Sequence, residues 1–399
     1  MSSQNSRISF SRRSFLRLSA GASAIGAFGV VTEPLLARAH RQGVPPRDAV
    51  MIDANENPLG PCASAREAIS GIIPESGRYS DHLTHELAQL FAQMEGLKPE
   101  NVLVYPGSSE PLHHAVVAFT SPAKPYVTAD PGYEAGMFAA EHSGARIVKV
   151  PLTQGHAHDV KAMLSVAPDA GLFYICTPNN PTGTLTSHSD IEYLVENKPK
   201  QSIVMVDEAY IHFAGAPSAI DLVQAGKDVI VLRTFSKIYG MAGLRCGFAM
   251  GRPDLLEKIQ NYSGYNAMPV TGLVAASASL KDAQLVPERK RINTTIRQAT
   301  FAWLDRHGYS YIPSETNFFQ LDTKRAGKEV IKAMEQQNVF IGRVWPVMPT
   351  YVRVTVGTQE EMDRFQTAYQ RVISGTVVGT LAPRTRPVRP TFDGLRVRS

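Results

Sequence analysis

Seven short apolar runs lie between positions 100 and 250: VLVY at 102–105, PYVTA at 125–129, RIVKV at 146–150, LFYIC at 172–176, IVMV at 203–206, VIVL at 229–232 and GFAM at 247–250. Several are apolar at consecutive positions rather than at alternate ones, which predicts strands covered on both faces. Helical segments fall between many of them, for example DIEYLVENK at 190–198 behind Thr186-Ser187. The alternation predicts an α/β domain with a mainly parallel, seven-stranded sheet. Past about residue 265 the texture changes. A long helical reach over 270–306 ends at Gly308, followed by a strand at 316–322, a helix at 325–337, strands at 339–342 and 351–357, and a helix at 359–373. This predicts a second, smaller α+β domain. The expected division is a large domain at 76–265 and a small one at 266–375, with an arm at 40–75 in front of them.

Composition changes this picture only at the ends. With 399 residues, 43% hydrophobic and 19% charged, the chain is globular rather than fibrous. Residues 1–39 and 376–399 each carry a net charge of +4 against +5 for the whole chain, so the body between them is mildly acidic. The basic isoelectric point is therefore no argument for nucleic-acid binding. The last 24 residues, with Pro383, Pro387 and Pro390 among arginines, are expected to be disordered. At the other end, Arg12-Arg13, Phe15-Leu16, an apolar stretch from Leu18 to Val31 and Ala37-Arg38-Ala39 follow in order. The apolar stretch is too short to span a bilayer. The whole resembles a twin-arginine export signal, which implies cleavage after Ala39 and a periplasmic or exported protein, cytoplasmic if the signal does not work. Cys62, Cys176 and Cys246 have no metal-ligand spacing and read as packing residues. His113-His114 and the histidines of HAHD at 156–159 lack a partner set, so no metal is expected.

In an open α/β sheet, ligands bind beyond the carboxyl ends of the strands. Four polar motifs stand at such ends. LFYIC leads into TPNNPTG with Asn179, Asn180 and Gly183; IVMV into DEAY with Asp207 and Tyr210; VIVL into RTFSK with Ser236 and Lys237; and VLVY into PGSSE at 106–110. Singly, each is an ordinary turn or helix cap. Together, with NENPLGP from Asn55 and VRVTVGT near the end, they make the chain from about Asn55 to Val372 resemble the fold type I pyridoxal-phosphate enzymes. Within those it is most similar to class I/II aminotransferases of the histidinol-phosphate group.

The resemblance implies pyridoxal 5'-phosphate as cofactor and assigns roles by position. Lys237 is the covalent anchor, since among side chains only lysine offers the amine a Schiff base needs. Asp207 faces the ring nitrogen, and Asn180 and Tyr210 serve the ring's 3-oxygen. Arg245, Ser236 and the backbone N–H groups of Ser108 and Ser109 take the phosphate. Tyr133 stacks on the ring, and Tyr79 reaches the phosphate of a neighbouring subunit, which implies a homodimer with shared sites. Arg353 grips a substrate carboxylate with a planar fork that lysine lacks. Asn57 joins the substrate-binding set. Arg343 stands where the group binds a substrate phosphate, though the shortened segment to Arg353 leaves a surface or dimer role equally open. The implied reaction is a ping-pong transamination with a 2-oxo acid such as 2-oxoglutarate, in which the freed Lys237 relays the substrate's α-proton. Two alternatives share these motifs: a lyase or decarboxylase of a phosphorylated amino acid, and a general or aromatic transaminase in the periplasm.

Overall fold

The seven apolar runs form one sheet: β2 (Val102–Tyr105), β3 (Tyr126–Asp130), β4 (Ile147–Pro151), β5 (Leu172–Cys176), β6 (Ile203–Asp207), β7 (Val229–Thr234) and β8 (Gly247–Gly251), in the order β2-β8-β7-β6-β5-β3-β4. The structure is a computed structural model that describes residues 30–39, 41, 44–264 and 267–375. The Arg12-Arg13 pair, the apolar stretch as far as residue 29 and the basic tail at 376–399 lie outside the described residues. All pairings are parallel except those of β8, which runs antiparallel to both β2 and β7.

The central strands show why their sequences do not alternate. Phe173, Ile175, Val204, Val206 and Val231 enter one apolar core, while their neighbours Leu172, Tyr174, Met205, Ile230 and Leu232 enter another on the opposite face. Successive side chains point to opposite faces of a strand, so a sheet covered by helices on both sides needs apolar residues at every position. Each fully buried Val, Leu or Ile contributes about 1.5–3 kcal/mol by leaving water. Edge strand β4 is half-exposed, as its IVKVP sequence allows.

A second core forms around the antiparallel sheet β12-β10-β9, with β9 at Ser310–Ile312, β10 at Phe318–Asp322 and β12 at Tyr351–Thr355. The helix Gln359–Ile373 covers it, started by a reciprocal cap in which Thr358 Oγ1 accepts from Glu361 N–H and the Glu361 carboxylate accepts from Thr358 N–H. Two features depart from the sequence reading. Strand β1 (Val50–Ile52), read as part of an arm, pairs in parallel with β11 (Val339–Ile341) and belongs to this smaller core. The boundary expected at 266 also shifts. The 270–306 reach is two helices, and the first, Val270–Lys281, buries Leu273, Ala275 and Ala276 in the large-domain core. The second, Leu285–Arg306, starts in the large core at Leu285 and ends in the small one at Phe301 and Leu304.

Candidate active site

The strand ends and two remote segments enclose a cleft lined by Ser108, Ser109, Tyr133, Asn180, Asp207, Tyr210, Ser236, Lys237 and Arg245 together with Glu33, among others. Four residues of its floor follow directly from strand termini. Asp207 is the last residue of β6, Tyr210 follows it, and Ser236 and Lys237 leave β7.

Asp207 is buried in this floor. Its Oδ2 accepts from the Tyr174 hydroxyl at 2.8 Å and its Oδ1 from Ala209 N–H at 3.0 Å. Burial pushes its carboxyl up to about 6 despite those bonds, and no cation is hydrogen-bonded to it among the described residues. A carboxylate so placed calls for a cationic partner, and a protonated pyridine nitrogen supplies one. Lys237, also buried, is pulled down to about 8 by its loss of solvent. Its Nζ lies 3.4 Å from the Ala54 carbonyl oxygen and 5.6 Å from the Tyr210 ring centre. The Tyr210 hydroxyl accepts from Asn55 Nδ2 at 3.0 Å, which fixes the phenol in place.

At the opposite end of the floor stands an anion cradle. Arg245, at φ 54°, turns its guanidinium back to donate to the carbonyls of Ala242 and Pro106, both at 3.0 Å, and to the Ser236 hydroxyl at 3.4 Å. Gly107, at φ +89°, leaves the space this requires: a Cβ there would sit 2.2 Å from Arg245 Nη2. The helix Ser109–Phe119 begins beside it without a side-chain cap from Ser108, so its first N–H groups face the cradle where an oxyanion would sit. The residues present therefore fit pyridoxal phosphate at the ring nitrogen, the aldehyde and the phosphate.

The wall above this floor is built from distant parts of the chain. Arg353, fully buried in the middle of β12, donates from Nη1 to Asn180 Oδ1 at 2.8 Å and from Nη2 to the Asp53 carbonyl at 2.8 Å and to Glu33. Arg343 is 2% exposed, which excludes the surface role left open by the sequence. It donates to Glu33 Oε2 and to Glu134 Oε2, both at 3.0 Å. Both guanidinium groups face Trp345, at 4.8 and 5.6 Å from its ring centre, and the indole N–H is anchored on the Gly132 carbonyl.

Most of the expected site residues thus converge, Tyr133 among them as a buried wall residue. Two do not. Asn57 spends its amide on the Ile238 carbonyl at 3.0 Å and its Oδ1 on Leu59 N–H, facing a neighbouring groove, so it braces the residue after Lys237 rather than binding substrate. Tyr79 is 89% exposed and takes no part in this chain's own cleft. Residues the sequence reading passed over are Glu33, Asn55, Glu134, Tyr174 and Trp345. Of these only Tyr174 carried a signal, as a hydroxyl inside an otherwise apolar strand. The cysteines are buried and free, His113, His114 and His158 are buried, and no metal-binding cluster occurs among the described residues.

A buried lysine, a carboxylate and an oxyanion cradle at the carboxyl ends of a mainly parallel sheet define a fold type I pyridoxal-phosphate enzyme. The comparisons narrow the class. The chain belongs to the aminotransferase class I and II family, whose sequence profile matches residues 47–368. It is 35% identical over 331 residues to a histidinol-phosphate aminotransferase of Symbiobacterium thermophilum, covering 82% of this chain and 91% of that one. It is 31% identical over 332 residues to an aromatic amino acid aminotransferase of Cutibacterium acnes, covering 82% and 94%. The crystal structure of a histidinol-phosphate aminotransferase from Sinorhizobium meliloti in complex with pyridoxal-5'-phosphate superposes with a TM-score of 0.76 at 26% identity, covering 93% of this chain and all of that one.

Proposed function

We propose that this pyridoxal-phosphate aminotransferase takes an amino donor that carries a phosphate or second carboxylate, of the histidinol-phosphate type, and passes the amino group to a 2-oxo acid such as 2-oxoglutarate. The observation that carries this reading is the pair Arg343 and Arg353, two buried guanidinium groups converging on a single carboxylate beside Lys237. Guanidinium forks match phosphate and carboxylate alike, so a substrate anion fits the place that the Glu33 carboxylate takes between them. The name of the Symbiobacterium relative points the same way.

The bound cofactor supplies an electron-withdrawing ring that acidifies the substrate's α-carbon. The chain supplies the rest. Asp207 would hold the charge that keeps the ring nitrogen protonated, and Tyr174 and Ala209 fix that carboxylate in one orientation. Lys237, drawn toward neutrality by burial, is the group that takes a proton at Nζ and returns it. Arg353 orients the donor through a fork fixed by Asn180 and the Asp53 carbonyl. A screen of donors against 2-oxoglutarate tests the reading: histidinol phosphate should outrun unphosphorylated and aromatic amines, and Arg343→Ala should erase that preference. Indifference to the phosphate would instead favour the activity named for the Cutibacterium relative.

The assembly and cellular address are inferred on the same footing. A homodimer in which Tyr79 completes the partner's phosphate site is supported by the exposure of that tyrosine on a single chain. Export is supported by the order of Arg12-Arg13, apolar stretch and Ala37-Arg38-Ala39, and fractionation of cells carrying Arg12→Lys with Arg13→Lys tests it.

A further inference from the structure

The chain brings its own anion to the substrate pocket. Glu33 opens the helix Glu33–Arg38, far from the strand-end motifs in sequence, yet the residue is 7% exposed and its carboxylate lies between Arg343 and Arg353. Thr32, Glu33 and Pro34 line the cleft, Ala37 is buried, and Leu36 packs on the large-domain core. Beyond the helix, Arg41 clamps the segment to buried Asp53 by two bonds of 2.6 and 2.8 Å. Burial alone would raise the Glu33 carboxyl, but the Arg343 and Arg353 guanidinium groups and the Lys237 ammonium outweigh it and hold it below the ordinary range. With Glu134 on the far side of Arg343, the two arginines already face two carboxylates.

We propose that Glu33 is an internal competitor for the substrate's anionic group, carried on a strap that a donor or acceptor must displace. The inference rests on the reading of Arg343 and Arg353 as the substrate-anion site. It makes Glu33 a specificity-determining residue. A phosphate or a second carboxylate reaching both arginines replaces every contact that Glu33 gives up. A donor with one carboxylate and a neutral side chain cannot, and it leaves either Arg343 or Glu33 without its partner. Leaving a buried charge unpaired is the larger cost, so the competitor selects for doubly anionic ligands.

The test uses the cofactor-loaded full-length protein and maleate, a small dicarboxylate with no amino group to transfer. Calorimetry should show Glu33→Gln binding maleate at least tenfold more tightly than the wild type, because the amide competes without charge, with Glu33→Ala at least as tight. In the wild type, saturating maleate should speed amide hydrogen exchange across residues 33–38 at least tenfold, a readout that requires no variant. Unchanged or weaker maleate binding in both variants, or exchange at 33–38 that maleate leaves unchanged or slows, overturns the proposal. If maleate binds the wild type and Arg353→Ala abolishes it, the anion site stands whatever becomes of the competitor. If maleate binds neither wild type nor Glu33→Gln, both readings fall together.

Discussion

The floor and the wall of the cleft are made in opposite ways. The floor is local: Asp207, Tyr210, Ser236 and Lys237 stand within a few residues of the ends of β6 and β7, so the sheet that positions one positions the others. The wall is remote. Glu33, Glu134, Arg343 and Arg353 meet only because a helix before the first strand, a loop after β3 and the small-domain sheet fold against each other. A floor built on rigid, fully buried strands suits chemistry common to every substrate. A wall assembled from separate parts of the chain suits recognition, where the occupant changes between half-reactions.

Experiments can break or sharpen that contrast. Lys237→Ala should lower kcat by about 10⁴-fold or more for every donor alike, the upper reach of a positioned proton-transfer group; borohydride should then leave no cofactor attached to the chain. A donor-dependent loss would mean the floor also takes part in recognition. Arg353→Lys should raise the KM of anionic donors by about 30-fold or more while the cofactor stays bound, since a point charge cannot replace a fork that reaches Asn180, Asp53 and Glu33 together. Capture of pyridoxal phosphate by cofactor-free protein needs the neutral Lys237 amine, whose value is lowered from about 10.5 to about 8. The neutral fraction grows as pH approaches that value, so stopped-flow capture rates should rise about tenfold per pH unit below 8 and flatten above it. A lysine with an ordinary value would still be accelerating at pH 9. Smallest of all, Trp345→Leu should raise KM a few-fold with kcat nearly steady, since leucine keeps most of the apolar packing and only the ring contacts to Arg343 and Arg353 are lost.

The same contrast sets what the sequence could disclose. All seven strands of the large sheet and the floor residues were legible because strand-end motifs are contiguous and the strands are apolar at consecutive positions. Strand β1 was not: Val50–Ile52 is three residues long, and its partner at Val339–Ile341 lies almost 300 positions away. Asn57 was misplaced for a related reason. NENPLGP approaches the site as a stretch, but its direction there is settled by the Asn57 bond to Ile238, a contact with no sequence signature. Arg343 was ambiguous because only burial against Trp345 and two carboxylates decides between a surface and a pocket. Glu33 escaped because it stood inside a stretch read as a leader, where it is the only acid among residues 1–39.

That position gives the Glu33–Arg38 helix a consequence of its own. Under the export reading, a peptidase acting after Ala39 would have to draw Ala37-Arg38-Ala39 out as an extended strand, whereas Ala37 is 2% exposed on a helix pressed against the protein. Docking of this helix and a cut after Ala39 would therefore exclude each other, and a chain shortened there would lack the Glu33 carboxylate that pairs with Arg343 and Arg353. Under the displacement proposed for Glu33, any ligand that moves the glutamate would also expose this bond, so susceptibility to cutting there would report occupancy of the pocket.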